Sequence, residues 1–123
     1  MPSPTLIAEA TRRSGVVWLS GPRTAPVLVW HVWHDGAMHL VGGGPEQALP
    51  VGPGERAQVV VRSKAAQAGV VVEWAAQVEQ VLPGTPLWDE VVPLLAAERL
   101  NAEADQLSRW ASECVVLRCV PAG

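Results

Sequence analysis

The chain has 123 residues, 49% of them hydrophobic and 17% charged, with a net charge of −3. That length makes one domain spanning residues 1–123, able to bury a core without metal or disulfide staples, and the low charge excludes a disordered chain. The nine basic residues are scattered, with no run longer than Arg12-Arg13, so the positive stripe that nucleic acids require is missing.

No stretch approaches the ~18 uninterrupted apolar residues of a membrane span. The first ten residues carry Pro2, Pro4 and Glu9 and no basic start ahead of an apolar run, which argues against a secretory signal and for a cytoplasmic protein. Cys114 and Cys119 stand at odd spacing, so in a strand their side chains face opposite ways and are expected as free, reduced thiols. Six tryptophans stand beside no phenylalanine or tyrosine, and eight arginines beside one lysine. With Ala, Val, Gly and Pro dominant, this is the composition that a GC-rich, actinobacterium-like genome writes.

Residues 5–13 are expected as a short helix with Leu6, Ile7 and Ala10 on one side, ended by Ser14-Gly15. A strand over 16–20 follows. Next, 27–34 and 37–42 flank Asp35-Gly36, a pair that accepts positive φ at both turn positions and so predicts a two-residue hairpin. Its register puts Trp30, Val32, His34, Ala37, His39 and Val41 on one face. Val29, His31, Trp33, Met38 and Leu40 take the other. Both faces are largely apolar, so one is expected on a barrel core and the other under a helix or a second subunit.

Residues 42–54 read as a Gly- and Pro-rich loop, 58–62 as a strand and 70–82 as a long strand stopped by Pro83-Gly84. Thr85 is the expected cap of a helix with Pro86 at its first position, an apolar stripe of Leu87, Val91, Leu94 or Leu95, and Leu100, and a kink at Pro93. One or two helical turns over 104–111 and a final strand over 114–120 complete the chain. Hairpin connections imply antiparallel pairing. The expected fold is α+β: a six-stranded antiparallel β-barrel, whose closure removes exposed edges, with two or three short helices.

The run Pro26-Val27-Leu28-Val29-Trp30-His31-Val32-Trp33-His34-Asp35-Gly36, with Met38-His39-Leu40-Val41-Gly42-Gly43, resembles the pyridoxamine-phosphate-oxidase-like split-barrel family. The long strand before the Thr85 helix is similar too, and residues 97–102 with Arg109-Trp110 look like a small uncharacterised actinobacterial branch. The resemblance covers about residues 6–120. It implies a Greek-key split barrel, a homodimer, and a flavin (FMN) or deazaflavin cofactor at the subunit interface, serving an oxidoreductase or a cofactor carrier. Trp30, His31, Gly42, Gly43, Arg62 and Lys64 are the implied cofactor contacts. Where flavin members carry a Ser-x-Lys or Arg-Lys pair after the return strand, this chain has Gly44-Pro45-Glu46-Gln47, whose carboxylate would repel a phosphate. The alternative implied by that departure is a cofactor-free split-barrel binding or assembly protein.

Other constellations carry less. His34 and His39 share a face while His31 points away, so the three histidines read as packed or interface residues and not as a metal site. Gly42-Gly43-Gly44-Pro45 lacks the Gly-Lys-Ser or Gly-Lys-Thr of a phosphate loop and reads as a turn. No serine or cysteine has an acid–base partner nearby in sequence, so hydrolytic chemistry has no support.

Overall fold

The fold described here is a computed structural model covering residues 2–62, 71–99 and 106–122. Its elements are helix α1 (Pro4–Arg13), strands β1 (Val16–Ser20), β2 (Val27–Trp30), β3 (Val32–His34), β4 (Ala37–Gly42), β5 (Arg56–Arg62) and β6 (Val71–Val81), helices α2 (Pro86–Glu98) and α3 (Gln106–Glu113), and strand β7 (Val115–Pro121). All pairings are antiparallel, in the order β2-β1-β5-β6-β7-β4-β3. The fold is an α+β split barrel of seven strands, not the six expected. The extra strand comes from the stretch 27–34, which breaks at His31. Its first half pairs with β1 and its second half with β4, so one continuous piece of chain supplies both ends of the strand order.

Local chemistry forms the elements as expected. Asp35 and Gly36 both adopt positive φ (49° and 72°), and the hairpin they close has the predicted register of Val32 opposite His39 and Trp33 opposite Met38. Ser3 Oγ accepts from the Leu6 amide at the start of α1, and Thr85 Oγ1 accepts from the Trp88 amide at the start of α2, each cap followed by a proline that has no N–H to satisfy. α2 runs on through Pro93 to Glu98 as one helix. Cys114 lies just ahead of β7, not within it, and its thiol reaches the Gly43 carbonyl at 3.3 Å. Cys119 is buried in the barrel, so the two free thiols do sit on opposite sides. Leu100 and residues 104–105 of the expected second helix lie outside the described residues.

Two cores result. Val17, Leu19, Val29, Met38, Leu40, Val59, Val61, Trp74, Val78, Leu117 and Cys119 fill the barrel, with Ile7 of α1 closing one mouth. Outside the wall, α2 and α3 pack Val91, Val92, Leu95 and Trp110 onto Val41, Val81 and Val116. The hairpin therefore has one face in each core, as its two apolar faces require. Within the barrel, the Trp33 and Trp74 rings meet edge to face at 6.1 Å, and the Trp74 indole donates to Thr11 Oγ1 at 3.1 Å.

That bond fixes α1 over the mouth, since Thr11 is fully buried and supplies the acceptor for the buried indole. Thr11→Val keeps the shape and strands the indole N–H, and is expected to cost about 1–3 kcal/mol of unfolding free energy in a urea titration.

Candidate functional site

The turn after β4 carries two of the expected cofactor contacts, and the structure closes it tightly. The Gly43 amide donates to the Gln47 carbonyl at 3.0 Å, and the Glu46 amide donates to the Gly43 carbonyl at 2.9 Å. Gly44 has a φ of 53°, and a Cβ there would stand 2.9 Å from the Glu113 carbonyl oxygen. The glycines thus let the turn lie against the backbone that joins α3 to β7. On its Cβ side Gly44 has no room for a side chain, while the turn itself stays exposed.

The two residues that replace the family's basic pair have defined roles. Gln47 lays its side-chain amide along the end of β2: Oε1 accepts from the Trp30 amide at 3.0 Å, and Nε2 donates to the Trp30 carbonyl at 3.0 Å and the Val41 carbonyl at 3.2 Å. It stands in for a strand where β2 parts from β3. The Glu46 side chain is only 2% exposed. Its Oε1 meets Arg99 Nε at 2.8 Å and its Oε2 accepts from the Trp110 indole at 3.2 Å. The carboxylate is therefore engaged by a cation and a buried donor, and not aimed at a ligand.

His31 occupies the break itself. It is buried, and neither ring nitrogen makes a full-geometry hydrogen bond, the Ser14 backbone giving only a partial one. Burial pulls its pKa down to about 4, and the Ser14 backbone offsets only part of that cost. His39 is fully buried on the outer side of β4, where its Nε2 lies 3.2 Å from Arg118 Nη1. A guanidinium can only donate, so this nitrogen accepts and the neutral ring carries its proton on Nδ1. Burial, then the Arg118 charge, then His34, hold His39 at about 4. Arg118 also donates to the Asp35 carbonyl at 3.1 Å and lies 4.0 Å from Glu79. His34 and His39 have ring centroids 6.0 Å apart, and among the described residues no three His, Cys, Asp or Glu side chains could together hold a metal ion.

Burial pushes the Cys119 thiol up to about 12 and, together with the Glu46 and Glu113 carboxylates, raises Cys114 as well, so neither is an activated nucleophile.

The remaining expected contacts converge elsewhere. The register pairs Val16 with Trp30 and Trp18 with both Leu28 and Val60. Trp30 and Val16 form one row of the outward face, and Arg62, two residues beyond Val60, lies on that same face by strand alternation. The next row is Leu28, Trp18, Val60 and Glu73. Val16, Trp18 and Leu28 are 41%, 37% and 48% exposed, an open apolar platform with the exposed Arg62 at its rim. Trp30 joins this platform to the helical core, against which it is partly buried. Lys64 lies outside the described residues. The expected contacts thus divide between the closed turn (Gly42, Gly43), the buried break (His31) and the open face (Trp30, Arg62). None of them lines the groove of about 380 Å³ between α1 and Trp33. Val16, Trp18 and Leu28 were not among the expected contacts, although the even-numbered apolar residues of β1 carried the signal once its partner strands were known.

Comparison of the whole fold with solved structures is decisive. The heme storage protein of Vibrio cholerae matches with a TM-score of 0.64 at 14% identity, over 100% of this chain and 92% of that one. A conserved hypothetical protein of Mycobacterium tuberculosis matches at 0.66 and 18% identity, over 100% and 82%. A pyridoxamine 5'-phosphate oxidase-like protein of Listeria innocua matches at 0.62 and 14% identity, over 98% and 94%. The chain has the pyridoxamine 5'-phosphate oxidase-like split-barrel fold. No family model matches the chain, and no curated protein matches it. Similarity at this level concerns the fold. In this split barrel, no helix among the described residues is long and apolar enough to cross a membrane.

The two buried histidines set an acid limit. Their folded pKa values of about 4 lie below the ordinary 6.5, so the unfolded chain takes up protons first as pH falls. Their contribution is fully present above pH 6.5 and is lost between pH 6.5 and 4. Each shift is worth roughly 3 kcal/mol. Denaturant titrations at pH 7.5 and 5 should show a marked loss at pH 5, and His31→Gln or His39→Gln should flatten that difference.

Proposed function

We propose that the chain acts as a homodimer, with the outward face of β2, β1 and β5 covered by a second copy and a flavin- or deazaflavin-type ring held where that face meets Trp30. What supports this reading is the outward face itself: Trp30 pairs with Val16, Trp18 with Leu28 and Val60, and Arg62 stands two residues beyond Val60 on the same face, so an aromatic, an apolar floor and a cation for an anionic tail share one platform. An apolar face of this kind marks an interaction site, and burying each of Val16, Trp18 and Leu28 contributes about 1.5–3 kcal/mol. A two-fold arrangement places the same face on both partners. Trp30 would flank the ring, and Arg62, with Lys64, would hold the phosphate. Gly42 and Gly43 are less suited to the phosphate, because Gly42 is packed against Leu49 and the Gln47 carbonyl and the Gly43 amide is already bonded to Gln47. A bound ring of this type supplies electron or hydride transfer, and the protein supplies placement and charge. The chain would then be an oxidoreductase or a carrier of the cofactor, in the cytoplasm.

A second reading is a cofactor-free assembly protein built on the same dimer. The closed turn favours it, since the usual phosphate cradle is absent while the platform remains. The heme named for the Vibrio neighbour finds no ready ligand in His31 or His39, both buried.

Titration with FMN and with a deazaflavin, followed by quenching of tryptophan fluorescence, separates the two. Saturable binding that weakens at least ~10-fold in Arg62→Ala supports the cofactor reading. No binding of either at ~100 μM, an affinity weaker than about −5.5 kcal/mol, removes it. Sedimentation tests the dimer independently: Leu28→Asp is expected to turn dimer into monomer, and a wild-type monomer would refute the interface.

A further inference from the structure

Residues 46 and 47 are adjacent in sequence, yet they bind two different parts of the molecule. Gln47 holds the end of β2 to β4 through the Trp30 and Val41 backbone, across the gap where the strand order closes. Glu46 holds the two outer helices, through Arg99 at the end of α2 and Trp110 in α3. Between them the turn is held by its own bonds. Gly43 exchanges backbone bonds with Gln47 and Glu46, the Cys114 thiol donates to the Gly43 carbonyl, and Gly44 rests against the Glu113 backbone. A displacement of the helices that carried Glu46 with them would therefore carry Gln47 away from Trp30.

We propose that the 43–47 turn is a two-headed latch, which makes opening of the barrel at the β2–β3 break depend on the seating of α2 and α3. The residue at the break itself is His31, next to Trp30 in the chain and more than nine-tenths buried, with no full-geometry hydrogen bond to either ring nitrogen. Release of the helices frees the end of β2 beside that residue. The device does not rest on the cofactor reading, since its parts are all in the chain itself.

The Trp30 amide reports the latch directly, because its hydrogen goes to Gln47 Oε1. Amide exchange followed by NMR in the full chain should find this one hydrogen exchanging at least ~10-fold faster in Arg99→Met, a change at the far head of the latch, while the β5–β6 ladder keeps its protection. Gln47→Ala gives the same acceleration and calibrates the signal. Arg99→Lys, which keeps the charge and the fold, should fall between wild type and Arg99→Met. Unchanged Trp30 protection in both Arg99 variants, with loss in Gln47→Ala, would overturn the proposal and leave Gln47 a local clip. Equal acceleration of every amide would overturn it too, as plain destabilisation.

Discussion

A barrel must join its first and last strands, and in this chain a single residue has to do it. β2 and β3 are separated only by His31, yet they stand at opposite ends of the strand order. The backbone cannot stay in one ladder there, so the groups it frees need other partners. The Gln47 amide supplies them, matching one donor and two acceptors with its own acceptor and paired donors. The neighbouring features follow from this arrangement. The Gly42–Gly44 turn is tight because it must deliver Gln47 to the gap. Glu46 then faces the helices, where Arg99 and the buried Trp110 compensate its carboxylate. The helical layer and the break in the barrel are thus tied through two consecutive side chains.

The sequence carried the parts that depend on short-range rules. Asp35-Gly36 specified the hairpin and its register, and from the register came the division of its residues between two cores. Thr85-Pro86 specified where α2 begins. The break at His31 was illegible, because nothing in the apolar run 27–34 differs locally from one straight strand. The choice of two partner strands is a tertiary matter. Glu46 illustrates the same limit from the other side. As a sequence position it is a carboxylate in a glycine loop that would repel phosphate; only the long-range meeting with Arg99 and Trp110 reveals a buried structural anchor.

The candidate site shows a similar division. Reading by resemblance gathered Trp30, His31, Gly42, Gly43, Arg62 and Lys64 as one cluster. Among the described residues of that cluster, Trp30 and Arg62 share an outward face, with Val16, Trp18 and Leu28 beside them. The change matters chemically. The glycine turn offers a phosphate no exposed basic side chain within residues 42–47, whereas the rim of β5 carries the exposed Arg62. The apolar floor between Arg62 and Trp30 suits a flat ring better than a purely ionic ligand.

The proposed binding and assembly surface is the outward face of β2, β1 and β5, and not the turn after β4. Hydrogen–deuterium exchange of the whole chain with and without FMN or a deazaflavin tests it most directly. Added protection in peptides spanning 16–20, 27–30 and 56–62, with 42–47 unchanged, is the result the account predicts. Protection confined to 42–47 would contradict it and return the ligand to the glycine turn.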